Sequence, residues 1–442
     1  MGNGSLCNNN RDLMLEQKFT VQNSIHPKEE LTDNNGMNNI NSDTSDYYIK
    51  NSRKWFKAAL KKEDNPIYIS NNTFKEEYIC QNKEDINKIK NKIFFLPYGD
   101  KYEGEVVNNQ PNGKGKYFTA TGEIREGFFI NGQLNGYGKI NLTNGLFLEG
   151  NFKNDKLNGQ GKSVNLNGEI YEGEFIDGVR NGKGKLITSN HDRIEGNFIN
   201  GLIEGKGKLY IKGGDFYEGE FKNGFPNGQG VKKYKDGSIY SGNFINGEEN
   251  GYGVKKMKNG QIYKGEFVEG VKEGKGVLSF PDGQEYSGDF SNGFYHGKGV
   301  YKWPDGMLYE GDFNNDKIQG NGKWIWPNGD KYEGSFLDGK YNGYGVLIYS
   351  DGKKYEGEFK NDEFEGKGIK TYPDGAKYEG YFMNGEYQGE GTWYYINGDK
   401  LIGIWNNGFR NGKFKKILKN GDIYLVEYKN DLKVKEEKIN NQ

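Results

Sequence analysis

Residues 217–237 of the chain read YEGEFKNGFPNGQGVKKYKDG, and residues 240–260 read YSGNFINGEENGYGVKKMKNG. Each stretch begins with a tyrosine, has a glycine two residues later and a phenylalanine two residues after that glycine. Each then contains a Gly-x-Gly triplet and ends in a turn signal, and the two stretches start 23 residues apart. An internal repeat of this length determines the architecture, so the next question is how many further copies the chain contains.

The same spacing continues through most of the chain. A glycine occupies the central position of 14 consecutive copies, and every interval between these glycines is 23 residues. These repeat anchors are Gly104, Gly127, Gly150, Gly173, Gly196, Gly219, Gly242, Gly265, Gly288, Gly311, Gly334, Gly357, Gly380 and Gly403. Val426 falls on the next register, which predicts a degenerate terminal copy.

Each copy predicts two short strands and two tight turns. Side chains alternate between the two faces of a strand, so the Tyr, Gly and Phe positions share one face. A glycine in a strand often marks the close approach of another group, and we expect an aromatic ring from the neighbouring strand to lie over it. The Gly-x-Gly triplet is expected to serve the same purpose. Pairs such as Asn223-Gly224 and Asp282-Gly283 predict hairpin turns because they accept positive φ.

These features predict an all-β fold, namely an elongated, single-sheet β-meander solenoid of 23-residue hairpin repeats with 14 clear copies and one degenerate copy. The composition agrees, because 69 glycines and 15% aromatic residues accompany only 33% hydrophobic residues. Such a composition suits rings that cover glycines without a thick aliphatic core. At ~4.8 Å per strand, about 28 strands would extend on the order of 130 Å.

The bulk properties and motifs argue against several function classes. The formal net charge of −1 gives no electrostatic case for nucleic acid. Cys7 and Cys80 are the only cysteines, so no disulfide framework is indicated. The three histidines have no neighbour at metal-ligand spacing, and triplets such as Gly182-Lys183-Gly184 lack the spacing and hydroxyl residue of a phosphate loop. We therefore expect no catalytic residues, no metal and no cofactor.

The pattern resembles the MORN (membrane occupation and recognition nexus) repeat, most closely at Tyr217–Gly237, Tyr286–Gly306 and Tyr355–Gly375. The resemblance covers about residues 97–432. It implies a scaffold that contacts proteins and membranes at the cell cortex or at division structures. It also implies dimers through terminal repeats, and we expect a homodimer joined through the C-terminal copies near residues 378–432. The Asn- and Lys-rich flanks, together with an array made almost wholly of repeats, resemble apicomplexan and malaria-parasite scaffolds of the pellicle, inner membrane complex and cytoskeleton. Four copies depart from the pattern at the first tyrosine, with Arg125, Leu148, Ile194 and Leu401.

The flanks divide the chain further. Residues 1–47 are polar and Asn-rich and are predicted to be a disordered tail. Residues 48–96 are predicted to be a helical linker or cap, with a second helix near Asp85–Lys92. Within them, Trp55 and Phe56 with Lys54 and Lys57 form a basic amphipathic segment, which suits either a cap on the first sheet edge or membrane contact. Residues 433–442 are predicted to be a charged tail.

The N-terminus carries a possible lipid anchor. Gly2 follows Met1, as N-myristoylation requires, and Cys7 is available for palmitate. Ser5 and Leu6 depart from the usual pattern, which has Ser or Thr at the sixth residue. A single myristoyl chain anchors only marginally, so a second signal is needed.

The leading hypothesis is a non-enzymatic structural scaffold on the cytoplasmic face of a membrane, at the cell cortex, pellicle or division apparatus. One alternative is a phosphoinositide-binding or lipid-kinase-regulating module. Another is an axonemal or radial-spoke component, because such proteins also carry these arrays.

Overall fold

A computed structural model describes residues 89–439 of the chain, and β-strands account for most of them. The one helical element in this range is a short 3-10 turn, Pro97–Gly99. The described chain divides into two compact units, residues 89–258 and residues 259–439.

The first unit contains 15 strands. They are β1 (Ile89–Phe95), β2 (Lys101–Val107), β3 (Gln110–Phe118), β4 (Ile124–Ile130), β5 (Gln133–Asn141), β6 (Phe147–Lys153), β7 (Lys156–Val164), β8 (Ile170–Ile176), β9 (Val179–Ile187), β10 (Arg193–Ile199), β11 (Leu202–Tyr210), β12 (Phe216–Lys222), β13 (Phe225–Lys233), β14 (Ile239–Ile245) and β15 (Glu248–Lys256). Each strand pairs antiparallel with the next along the chain.

The second unit contains 17 strands. They are β16 (Ile262–Val268), β17 (Val271–Ser279), β18 (Glu285–Ser291), β19 (Phe294–Lys302), β20 (Leu308–Asn314), β21 (Lys317–Ile325), β22 (Lys331–Leu337), β23 (Lys340–Ile348), β24 (Lys354–Lys360), β25 (Glu363–Thr371), β26 (Lys377–Met383), β27 (Glu386–Tyr394), β28 (Lys400–Asn406), β29 (Phe409–Arg410), β30 (Gly412–Ile417), β31 (Ile423–Lys429) and β32 (Leu432–Ile439). Consecutive strands again pair antiparallel, except that β29 and β30 both pair with β28. The prediction of an all-β meander of hairpin repeats is confirmed.

Each copy is one hairpin with a bulge in its second strand. In the copy centred on Gly219, this glycine lies opposite Gly230, and the register shifts before Phe221. Gly228 lies in the bulge at φ 101°, a left-handed conformation that side chains rarely adopt. Gly230 leaves room for the Tyr217 ring, whereas Gly228 supplies the positive φ of the bulge. The expectation that both glycines of the Gly-x-Gly triplet make room for a ring was therefore wrong. The turn at Asn223 and Gly224 has φ of 52° and 85°, as the Asn-Gly pair predicts.

The tyrosine of each hairpin occupies the space that two glycines leave open. Tyr286 is fully buried, and a Cβ added at Gly299 would lie 2.5 Å from its ring. A Cβ added at Gly288, on the same strand as the tyrosine, would lie 2.6 Å from its hydroxyl oxygen. That hydroxyl donates to the backbone carbonyl of Asp289 at 2.7 Å. For Gly299, the covering ring comes from the neighbouring strand, as expected. For the central glycine, Gly288, the ring comes from the same strand, which was not expected.

The same tyrosine also joins adjacent copies. Tyr286 meets Phe290 of its own copy edge to face at 5.1 Å, and Phe313 of the next copy in the same geometry, also at 5.1 Å. Tyr295 stacks on its ring at 3.9 Å. Edge-to-face and offset-stacked rings are the favoured arrangements of aromatic pairs. The core of this region is therefore a ladder of alternating tyrosine and phenylalanine rings.

Copies without the first tyrosine cover their glycines with another side chain. Leu134, Leu157 and Ile203 are almost fully buried, and each reaches over a glycine of the second strand. In the copy of Gly403, Phe414 replaces the second glycine of the triplet, and its ring covers Gly403 on the first strand. Phe414 also lies opposite Val426, which is fully buried, so the degenerate fifteenth copy completes the packing.

Both ends of the array extend further than the sequence predicted. Residues 89–95 form a strand paired with β2, so the predicted helix is wrong from residue 89 onward. Residues 432–439 form β32 and not a free charged tail, and Lys438 pairs with Asp422 at 2.9 Å. The physical reason is the same at both ends: an edge strand offers unpaired backbone groups, and pairing them outweighs weak local preferences. The predicted tail at 1–47 and the rest of the predicted cap, 48–88, lie outside the described residues.

Replacing one ring of the ladder should damage the array locally. Phe290 is 2% exposed, so Phe290→Ala should cost about 3–5 kcal/mol. Phe294→Ala is the matched control, since Phe294 is 47% exposed and its loss should cost about 0.5 kcal/mol. Hydrogen exchange should show the loss of protection confined to neighbouring copies, because repeat stability depends on nearest neighbours. Equal loss of protection along residues 89–439 would contradict this.

The buried tyrosines should make the array sensitive to alkali. Burial is the main cause that raises the pKa of Tyr171 to about 12, and it raises the pKa of Tyr286 and its equivalents further. Unfolded tyrosine ionises near pH 10, so the unfolded state releases protons first and stability falls as pH rises from about 10 through the folded pKa. Tyrosinate absorbance should therefore rise late and cooperatively, together with the loss of β circular dichroism. A simple titration centred near pH 10 with the β signal retained would refute this.

Candidate binding surfaces

A groove crosses the face of the sheet opposite the aromatic ladder. It spans β10 to β14, has a volume of about 630 Å³, and no tyrosine or phenylalanine ring lines it. Its floor is the backbone of the paired glycines of these strands, and its sides are glutamate and lysine side chains. They are Glu195, Lys206, Lys208, Glu218 and Glu220, with Gln229, Val231 and Ser241 at one end. The repeat anchors thus separate the two faces: buried side chains, mostly aromatic rings, cover one side of the glycine pairs, and the groove lies on the other side.

The charged sides of the groove are weakly engaged. Lys208 pairs with Glu218 at 3.2 Å, and both side chains are about half exposed, at 44% and 54%. The hydrogen bond with Glu218 raises the pKa of Lys208. This half-exposed pair can exchange its contact for one with a ligand. An extended backbone with its own hydrogen-bonding groups and alternating charges would complement such a groove.

The charge pattern of this face changes along the first unit. At its start, lysines and glutamates of adjacent copies pair, with Lys139–Glu149 at 2.8 Å and Lys162–Glu172 at 2.7 Å. Val231 and Ser241 pair at the same two repeat positions, where the lysine and the glutamate are replaced by neutral residues. The groove lies at this transition, so it combines charged sides with one uncharged end.

A second surface lies along the turns that connect one copy to the next, which we call the Asp-Gly rim after turns such as Asp236-Gly237 and Asp282-Gly283. In the first unit, five exposed lysines gather at three consecutive turns. These residues, named the lysine rim, are Lys212, Lys233, Lys235, Lys256 and Lys258. Sequence reasoning missed this cluster, although a signal was present: Lys-Lys-x-Lys occurs at 232–235 and again, one repeat later, at 255–258.

A buried polar group lies behind the lysine rim. Glu249 is 2% exposed, and it lies at the repeat position that Tyr295 occupies two copies later. It accepts hydrogen bonds from the hydroxyl of Tyr234 and from Lys255, the latter at 2.9 Å. Burial is the main cause that raises the pKa of Tyr234, and the charge of Glu249 adds to it. Lys232 and Lys255 lie 4.5 and 5.0 Å from the centre of the Tyr234 ring.

The residues that the sequence singled out fall into two groups. All 14 anchor glycines lie on the first strand of their hairpins. Gly2 and Cys7, as well as Lys54, Trp55, Phe56 and Lys57, lie outside the described residues. Within residues 89–439, no group of His, Cys, Asp or Glu has the arrangement of a metal site. No helix in that range is long and apolar enough to cross a membrane.

Comparisons with known proteins place the repeats in a family. The family model described as the MORN repeat matches 14 segments, which are residues 102–124, 126–147, 149–168, 171–193, 195–216, 217–239, 240–262, 263–285, 286–308, 309–331, 332–354, 355–377, 378–400 and 402–422. A comparison with curated proteins finds no match.

Solved structures give only distant likenesses. The TCP domain of Drosophila melanogaster SAS-4, in complex with a proline-rich motif of Ana2, has a TM-score of 0.25 at 15% identity, over 34% of this chain and 83% of that one. A variant of the TCP10 domain of Danio rerio CPAP has a TM-score of 0.14 at 14% identity, over 59% of this chain and 95% of that one. Scores this low carry no argument about function.

Proposed function

Because this chain belongs to the MORN-repeat family, we propose that it is a non-enzymatic scaffold that binds protein partners and is held on the cytoplasmic face of a membrane. The repeats fit a membrane-associated or protein-binding scaffold. The observation that carries the protein-binding part is the glycine-floored groove across β10 to β14. A floor of backbone lets a partner segment approach closely, and the half-exposed charges on its sides can fix register and orientation.

The membrane part of the proposal rests on the N-terminus and on the family. Gly2 and Cys7 would carry myristate and palmitate, and two acyl chains anchor stably where one does not. The Asn- and Lys-rich flanks support a place in the cortex, pellicle or inner membrane complex of an apicomplexan-type cell. A phosphoinositide-binding or lipid-kinase-regulating module is the alternative that the lysine rim favours. An axonemal or radial-spoke role has no specific support from the described residues.

The two parts of this proposal can be tested separately in the cell that makes the protein. Glu218→Lys with Glu220→Lys reverses the charge of one side of the groove, and we expect it to lose protein partners while the chain stays in the membrane fraction. Gly2→Ala should shift the chain towards the soluble fraction and leave its partners bound. The control is Glu363→Lys with Glu390→Lys, two exposed acids outside the groove. Partners unchanged by the groove variant would refute the groove, and unchanged fractionation of Gly2→Ala would refute the anchor.

A homodimer through the C-terminal repeats is a further part of the proposal. All eight residues of β32 are exposed, and Leu432 and Val434 are 73% and 58% exposed. An exposed edge strand with apolar side chains pairs readily with another edge. We expect a dimer by light scattering, and a monomer for Leu432→Lys with Val434→Lys. Leu337→Lys with Met383→Lys is the control, because these exposed residues lie on interior strands and should leave the dimer intact. A wild-type monomer would end this idea.

A further inference from the structure

One aromatic side chain per copy lies at the start of each Asp-Gly or Asn-Gly turn of the second unit. The position 15 residues after the anchor glycine is aromatic in six consecutive copies there, whereas one of the seven equivalent positions in the first unit is aromatic. These six residues, named the aromatic row, are Phe280, Trp303, Trp326, Tyr349, Tyr372 and Tyr395. In a chain whose positions recur every 23 residues, such a run marks a local feature.

The turns hold the rings of the row in place. The backbone N–H of Gly306 donates to the carbonyl of Trp303 at 3.0 Å, and the N–H of Trp303 donates to the carbonyl of Met307 at 2.9 Å. Every other member of the row makes the equivalent two bonds. Proline follows the ring in four of the six copies, and its fixed φ suits this turn position. The rings are therefore carried by an ordered backbone.

The row lies on the face of the sheet that carries the aromatic ladder, and most of its rings stay partly exposed. Trp303 meets Tyr301 at 4.4 Å, and Tyr301 lies opposite Tyr309 of the ladder. Trp324 stacks on both Trp303 and Trp326, at 5.2 and 6.0 Å. Trp303 is buried, and the other five members are half-buried. The row is thus anchored on the sheet and still offers aromatic surface to a ligand.

Two indole N–H groups in this region lack acceptors. Within residues 89–439, the buried Nε1 atoms of Trp303 and Trp324 donate no hydrogen bond. Buried polar groups are nearly always paired, so two unpaired donors in stacked rings need an explanation. A ligand that brings backbone carbonyls to the row would supply acceptors.

The turns beside the row are acidic. Asp282, Asp305 and Asp374 are exposed, and no ion pair within the described part of the chain joins any of them to a lysine or arginine. Lys370 offsets this charge near Tyr372, because its Nζ lies 5.8 Å from the centre of that ring. The uncompensated acids are therefore Asp282 and Asp305, which favour a ligand that is positively charged at this end.

The spacing of the row matches a polyproline II helix. Successive copies are two strands apart, or about 9.6 Å. A polyproline II helix has three residues per turn and a pitch of about 9.3 Å, so its misfit over the five intervals of the row is about 1.5 Å. A heptad of α-helix rises about 10.5 Å, and its misfit would reach about 4.5 Å. A proline-rich segment can therefore stay in register with the rings, whereas a helix cannot.

We propose that the aromatic row binds a proline-rich partner segment in the polyproline II conformation, with one turn of the segment per copy and basic residues beside Asp282 and Asp305. Aromatic-lined surfaces dock such segments, because a preformed polyproline II helix loses little conformational entropy on binding. Its carbonyls have no internal partners, and binding would turn the Trp303 indole outward so that its N–H reaches one of them. The inference goes beyond the proposed function, because it assigns a separate site that involves neither the groove nor Gly2.

The test uses the full chain and a fluorescein-labelled peptide of six Pro-Pro-Ala triplets with two lysines at each end. We expect saturable binding that weakens with salt. A peptide of six Gly-Ser-Ala triplets with the same lysines should bind at least about tenfold more weakly, because it is flexible. The proline peptide should also shift the tryptophan emission of the unaltered chain, which reports contact with the row.

Variants of the row separate ring contact from general binding. Trp326→Leu with Tyr349→Leu should weaken binding of the proline peptide at least about tenfold. The matched control is Tyr344→Leu with Tyr381→Leu, which alters two exposed rings of the same unit on the opposite face of the sheet. The control should bind the peptide as the unaltered chain does, and equal loss in both variants would overturn the inference.

A second variant leaves every ring in place. Asp282→Asn with Asp305→Asn should weaken binding about threefold and reduce its salt dependence, so the site is tested even if the ring variant is less stable. Absence of saturable binding up to about 1 mM proline peptide would overturn the inference. Equal binding of the two peptides would do the same, because charge alone would then account for it.

Other ligands give further outcomes that overturn the inference. Tighter binding of an amphipathic helical peptide than of the proline peptide would reassign the row to a helical partner. Tighter binding of a soluble glucan oligosaccharide would reassign it to carbohydrate. None of these results depends on Gly2 or on the groove, so the proposed function can survive them.

Discussion

A tyrosine ring packed on two paired glycines is the contact on which the rest of the array depends. Tyr286 lies where a Cβ at Gly288 or Gly299 would stand, so the ring and the missing side chains require one another. The ring then meets Phe290 within its copy and Phe313 in the next, which transmits the packing along the unit. The same glycines leave the opposite face bare, and in β10 to β14 that bare backbone is the floor of the groove. One contact therefore supplies both the core and the candidate binding surface.

The sequence predicted those parts of the fold that recur in every copy. Spacing alone identified the strands and turns, because alternation and Asn-Gly pairs act locally. It did not reveal that Gly228 is needed for a bulge. Glycine is required both where φ is positive and where a side chain would not fit, so the residue type alone does not tell the two reasons apart. It also misjudged both ends, where Ile89–Phe95 and Leu432–Ile439 form strands. There the deciding factor is an unpaired sheet edge, which depends on tertiary structure and has no local signature.

The departures from the repeat needed the structure to be understood. Arg125 replaces a core tyrosine, yet it is buried and paired with Glu123 at 2.7 Å and with Asp155 at 3.6 Å. This substitution serves packing, because its partners lie in the core with it. Glu249 differs, because the cations around it continue outward into the lysine rim. Arg125 lies at a repeat position that is tyrosine in most copies, whereas the repeat position of Glu249 holds Arg180, Lys272 and Arg410 in other copies. Only the positions of their partners distinguish a charge held within the core from one that continues to a surface.

The two candidate surfaces of the first unit do not compete for the same atoms. The groove lies on a face of the sheet, at the glycine pairs in the middle of the strands, whereas the lysine rim lies at the turns that end them. A single-layer sheet makes this possible, because both faces and both rims remain surface once the rings have buried one another. The groove and the turns of residues 193–258 therefore share no lining side chain, so a ligand on one leaves the other accessible.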